Sequence, residues 1–286
     1  MLFWLQAGVA PGWGGDIGRV IDEVTAADGP VAPFVRPGRS KVGVMWSRVG
    51  EGFAKVSDVS SRARAKRVVA DPKNAGHPEI GVVSFVVWGE GHPFWDARPD
   101  HVAVSLQFGS IVPQLYVEVT APDDESAAMV ASAEAWVRGW GARFGGAGIP
   151  RQDPENDAVW HRYAYVSPDP LMKGVLEMGL VDPVVVGPSW LMVFRPGTFS
   201  DDVVPAGLEW SPQVSKVNGP DGEYTVVTLA EDARSVDQAE TDRWLSTLGP
   251  LMDPVLQDPM AALELRRAFT ARRRAALAEQ DGGPRS

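Results

Sequence analysis

Cysteine is absent from this 286-residue chain. Its absence excludes a disulfide scaffold, thiolate zinc sites and a cysteine nucleophile. It suits a reducing compartment, so a cytoplasmic location is expected. Histidine is scarce, with only His77, His92, His101 and His161. None of the four lies at the i, i+4 spacing of a metal-binding helix. No apolar run is long enough to cross a bilayer. The apolar N-terminus, MLFWLQAGVAPGWGG, lacks the basic residues that open a secretory leader, so it reads as a first strand. Neither end carries a lipid-anchor pattern.

Familiar catalytic strings are missing as well. Arg48–Val56, RVGEGFAKV, has something of the glycine spacing of a kinase phosphate loop, but no HRD or DFG accompanies it. Trp88-Gly89-Glu90-Gly91 follows a strand pattern, yet Pro93 blocks the helix that a dinucleotide fingerprint requires. Gly145–Gly148, GGAG, follows a helical pattern and reads as a helix stop and linker. There is no G-x-S-x-G nucleophile elbow. His92, Asp96 and His101 could converge across a loop, but loops commonly hold such residues without a metal. The acidic pairs Asp123-Asp124 and Asp201-Asp202 serve hydrolysis only if another carboxylate opposes them in a cleft. Both stand beside turn residues, where aspartate bonds its own backbone. No catalytic residue, metal or cofactor is expected.

The chain is rich in core material. Hydrophobic residues make up 44%, with eleven Trp and ten Phe, so a stable core needs neither disulfide nor metal. The net charge of −10 is unevenly spread. Residues 36–73 hold ten Lys/Arg against three Asp/Glu, residues 79–125 one against eight, and residues 198–260 three against twelve. Such a protein is a poor general ligand for nucleic acid, whose affinity comes from cations releasing counterions. It suits a basic protein surface through electrostatic steering. Simple solubility accounts equally well for any one of these clusters.

Periodicity then gives the elements. Phe3, Leu5 and Ala7 alternate as in a strand, and Asp16 precedes a helix striped with Ile17, Val20, Ile21 and Val24. Val42–Trp46 reads as a strand, and the basic stretch 57–73 as a short helix ending at Asp71-Pro72. Ile80–Trp88 is nearly all apolar, as in a strand buried on both faces. Val102, Val104, Leu106 and Phe108, then Leu115, Val117 and Val119, mark two half-buried strands. Pro122-Asp123-Asp124 opens a helix striped with Met129, Ala133, Trp136, Val137, Trp140 and Phe144. Val159–Ser167, Ser189–Arg195 and Tyr224–Leu229 read as further strands, and Ser235 and Gln238 as a capping box. VEVTAPDDESA beside VVTLAEDARS suggests a repeated strand–acidic turn–helix unit.

The expected fold is therefore α+β, a mixed or antiparallel sheet with amphipathic helices packed mainly on one face. Two similar halves, 1–150 and 151–258, would make up a single domain over 1–258. Residues 259–286 form an Arg-rich helix with Arg266, Arg267, Arg272, Arg273 and Arg274, ending in a disordered tail after Glu279. Its arginines read first as a solvated helix face. The loop Gly89–Asp96, GEGHPFWD, sets Phe94 and Trp95 among charged and turn-forming residues. Two large rings there are either interface anchors or folded back and buried.

The ordered segments SFVVWGEG (84–91), VSLQFGS (104–110), VTAP (119–122), WVRGWGARF (136–144) and SWLMVF (189–194) resemble bacterial polymorphic-toxin immunity proteins. They are most similar to the family called immunity protein fifty-two. The landmarks are Ser84, Trp88, Gly89, Gly109, Trp136, Trp140, Gly141 and Trp190. An Asn-containing turn of that family is replaced here by Val112-Pro113-Gln114, and the Arg-rich tail has no counterpart in it. The resemblance implies a non-catalytic cytoplasmic protein that binds and neutralises a cognate toxin domain, with no nucleic-acid or membrane partner. Glu90, Phe94, Trp95 and Asp96, with Asp201 and Asp202, are then expected on the binding face. Two other classes stand beside it: a hydrolase or transferase with carboxylates in a cleft between the halves, and an adaptor of a phage or secretion machine.

Overall fold

The computed structural model describes residues 1–8, 17–47, 52–56, 59–70, 80–89, 101–109, 114–142, 144–149, 152–153, 156–160, 189–198, 213–236, 239 and 259–281. The elements are β1 (Leu2–Gly8), α1 (Ile17–Val24), β2 (Lys41–Ser47), β3 (Gly52–Lys55), α2 (Val59–Ala70), β4 (Ile80–Trp88), β5 (Val102–Gly109) and β6 (Gln114–Thr120). They continue with α3 (Ser126–Trp140), β7 (Phe144–Gly148), β8 (Gln152–Asp153), β9 (Asn156–Trp160), β10 (Leu191–Phe194), β11 (Gln213–Gly219), β12 (Gly222–Thr228) and α4 (Pro259–Asp281).

Ten of these strands form one α+β sheet in the order β11-β12-β10-β7-β1-β6-β5-β4-β2-β3, and β8 pairs separately with β9. Every pairing among the described strands is antiparallel. The alternation read from β1, β5 and β6 sets the register. Phe3 lies opposite Val119, Val119 opposite Val104, Val104 opposite Phe85, and Phe85 opposite Val44. All five are fully buried, because a period of two keeps one face of every strand toward the core. On the other face, Ala103 and Thr120 sit opposite each other and are exposed.

The helices gather on the Phe3 face. α3 buries Met129, Ala133, Trp136, Val137 and Trp140, each large side chain contributing about 1.5–3 kcal/mol. Glu134 of the same helix accepts a hydrogen bond from Ser215 Oγ of β11 at 2.7 Å. α1 buries Val20, Ile21 and Val24 and packs on α2, with Lys66 of α2 paired to Asp22 of α1. α2 in turn lies on β3.

Three expectations are corrected. GGAG is not a linker: Phe144–Gly148 is β7, hydrogen-bonded between β1 and β10 in the middle of the sheet. Phe144 accordingly belongs to this strand and not to the stripe of α3, which ends at Trp140. The last helix also runs through Gln280 to Asp281, past Glu279. The strand–acidic turn motif does recur after the hairpins β5–β6 and β11–β12, but β6 neighbours β1 whereas β12 neighbours β10.

Candidate functional site at one end of the sheet

Strand direction and register bring a set of loops together. Leu2 pairs with Thr120 and Gly148, Thr120 with Ala103, Val87 with Val102, and Trp88 with Lys41. Further along the same end, Leu191 pairs with Ala147 and Thr228, and Thr228 with Gln213. The end of β4, the start of β5, the turn Ala121–Glu125 and the turn Leu229–Ser235 therefore all lie at one end of the sheet.

The turn Ala121–Glu125 is fixed from several sides. The Met1 ammonium is buried, donates to the Ala121 carbonyl at 2.8 Å and pairs with Asp123. Arg36 donates from one nitrogen to both oxygens of Glu125 at 2.7 Å. Ser126, buried at the start of α3, accepts from the backbone N–H of Ala233 at 3.0 Å. That bond joins the two acidic turns, which are more than a hundred residues apart in sequence. The second turn is tied to the sheet by Trp190, whose indole donates to the Ala230 carbonyl at 2.7 Å. The Leu229 N–H donates to the Trp190 carbonyl at 2.8 Å.

Electrostatics follow from these contacts. Asp232 accepts from Arg234 Nε at 3.0 and 3.1 Å and from the Arg234 backbone N–H at 2.8 Å. These bonds, the guanidinium first, hold the Asp232 carboxyl down at about 2. The same contact raises Arg234 above its ordinary value, and Asp123 and Asp124 add to that. Asp123, Asp124 and Glu231 are exposed, and the pairs around them leave the rim acidic. Carboxylates held this way on a stiff sheet end can meet a cationic surface with little ordering cost.

Of the residues expected on a binding face, Glu90, Phe94, Trp95, Asp96, Asp201 and Asp202 all lie outside the described residues. Their neighbours do have positions. Gly89 follows β4 and His101 precedes β5, both at the acidic end. Of the described residues flanking Asp201 and Asp202, Thr198 lies beyond the end of β10 opposite the acidic end, and Gln213 begins β11 at the acidic end. His77, His92 and His161 are likewise outside the described residues. His101 is half-buried, and its Nε2 meets no partner among the described residues. Among those residues, no three His, Asp or Glu side chains converge as a metal site would require.

Periodicity singled out Asp123 and Asp124 only as turn residues. Met1, Arg36, Ser126, Asp232 and Arg234 carried no local signal, because their relation to the turn depends on strand order. The family landmarks have structural positions: Trp88, Trp136, Trp140 and Trp190 are buried, and Ser84 is half-buried on β4. Gly109 ends β5, and Gly141 caps α3 with φ 68°. No family model, curated protein or solved structure matches the chain.

Proposed function

We propose that this chain is a non-catalytic immunity protein that binds a cognate toxin domain through the acidic end of its sheet. The observation that carries the reading is that β4 ends and β5 begins, on either side of residues 89–101, at the same end of the sheet as two braced acidic turns. The resemblance of the ordered segments to toxin-immunity proteins supplies the identity of the partner. Glu90 and Asp96 contribute charge, Phe94 and Trp95 are the ring anchors, and Asp201 and Asp202 add further charge. Acidic groups on a preformed scaffold accelerate encounter with a basic domain such as a nuclease, and buried rings slow its release.

The test is co-expression with the products of neighbouring reading frames. A product that is toxic alone and harmless with this chain is the expected partner. With that partner, Glu90→Lys/Asp96→Lys should weaken binding by at least about tenfold and flatten its salt dependence. Unchanged affinity and salt dependence would remove this loop from the face, and no protection by the chain would end the immunity reading.

A further inference from the structure

The proposed binding end leaves the long C-terminal helix without a role. α4 spans Pro259–Asp281 and is anchored near its start, where Ala262 is fully buried and Leu265 packs on the core. Phe269 and Thr270 are half-buried, whereas Arg266, Arg267, Ala271, Arg272 and Arg274 are exposed. With a rise of 1.5 Å per residue, Arg272 and Arg274 stand roughly 10–14 Å along the axis from Leu265. Among the described residues none of these four arginines forms an ion pair.

The charge of the chain is divided along the same line. Residues 1–258 hold 21 Lys/Arg against 34 Asp/Glu, and residues 259–286 hold six against three. On the acidic end, exposed Asp124 and Glu231 also lack an ion pair among the described residues. Among the described residues, then, the exposed cations of α4 and the exposed carboxylates of the acidic end are both unpaired and opposite in charge.

We propose that α4 is an arm that docks on the acidic end of a second copy of this chain, with Arg272 and Arg274 against Asp124 and Glu231. A two-fold exchange satisfies both arms at once and closes the assembly. Contacts within a Debye length of about 8 Å outweigh the repulsion between two acidic bodies at physiological salt. Nucleic acid fits the arm less well, because the acidic body accompanies it to any polyanion.

Sedimentation equilibrium of the full chain, at low and high ionic strength, tests this. The expected result is a dimer at low salt that dissociates as salt is added. Arg272→Glu/Arg274→Glu and Asp124→Arg/Glu231→Arg should each weaken association about tenfold or more. An equimolar mixture of the two variants should recover the dimer, because each arm then meets an oppositely charged surface. Circular dichroism of each variant, with Arg272→Gln/Arg274→Gln as a milder replacement, separates lost docking from lost folding. A wild-type monomer at every concentration, a dimer indifferent to both charge reversals, or a mixture that stays monomeric would overturn the proposal. So would a monomer whose arm binds duplex DNA in a salt-dependent titration.

Discussion

Tyr224 is fully buried on β12, and its hydroxyl donates to Asp221 Oδ2 at 3.0 Å. Burial pushes its ionisation up to about 12, with Asp221 adding to the shift and the Ala142 backbone opposing it. The fold thus favours the neutral phenol. Its contribution to stability is complete below pH 10 and is lost as pH rises from there through about 12. In an alkaline absorbance titration of the four tyrosines, one should ionise late, and Tyr224→Phe should abolish that late phase. The same substitution should cost about 1 kcal/mol in urea unfolding, the net value of one hydrogen bond. Asp232 behaves in the opposite sense. Its folded carboxyl titrates near 2, so the stability it confers is present above the unfolded value near 4 and is lost as pH falls through 2. Melting temperatures of Asp232→Asn and wild type should differ most at pH 5 and converge toward pH 2. A gap that persists at pH 2 would show that the substitution acts through packing instead of charge.

Elements with a strong period are legible in the sequence itself. β1, β5 and β6 alternate cleanly, and α1 and α3 carry continuous apolar stripes, so each stands where its pattern puts it. β11 was not legible: QVSKVNG has polar or exposed residues at most positions and buries only Val217. β7 was misread for a related reason, because FGGAG has almost no side chains from which to form a pattern. Its glycines answer a requirement of the sheet. A Cβ on Gly146 would stand 3.0 Å from the Leu191 carbonyl and 3.3 Å from Ser189 Oγ, so any side chain there would press β10 and Ser189 outward by a few tenths of an ångström. Gly146→Val should therefore destabilise the chain by about 1–3 kcal/mol in chemical denaturation. A neutral result would mean that the segment around Ser189 yields easily. The acidic end was half legible for the same reason. Turn chemistry marks Asp123 and Asp124, but Arg36, Ser126 and Asp232 meet only once the strands are ordered, and order has no signature in a local window.

At the scale of the whole molecule, the question is whether residues on either side of 150 fold as one unit. The sheet passes from β1 through β7 to β10, with Ala147 paired to Leu191, Gly146 to Met192 and Gly145 to Val193. The acidic end repeats this union, since Ser126 at the start of α3 holds the Ala233 backbone. Cutting the chain near residue 150 would strip β7 of one neighbour and leave an unpaired strand edge prone to association. It would also free the turn Leu229–Ser235 that braces the first acidic turn. Trp fluorescence and far-UV circular dichroism should accordingly report one coincident denaturation transition for the full chain. Residues 1–150 expressed alone should aggregate or lack a cooperative transition. They should also fail to bind the toxin partner, although the fragment contains Glu90, Phe94, Trp95 and Asp96. A soluble fragment that melts cooperatively and binds with full affinity would mean that the bond between the two turns contributes nothing to recognition. Binding would then belong to the 89–101 connection alone.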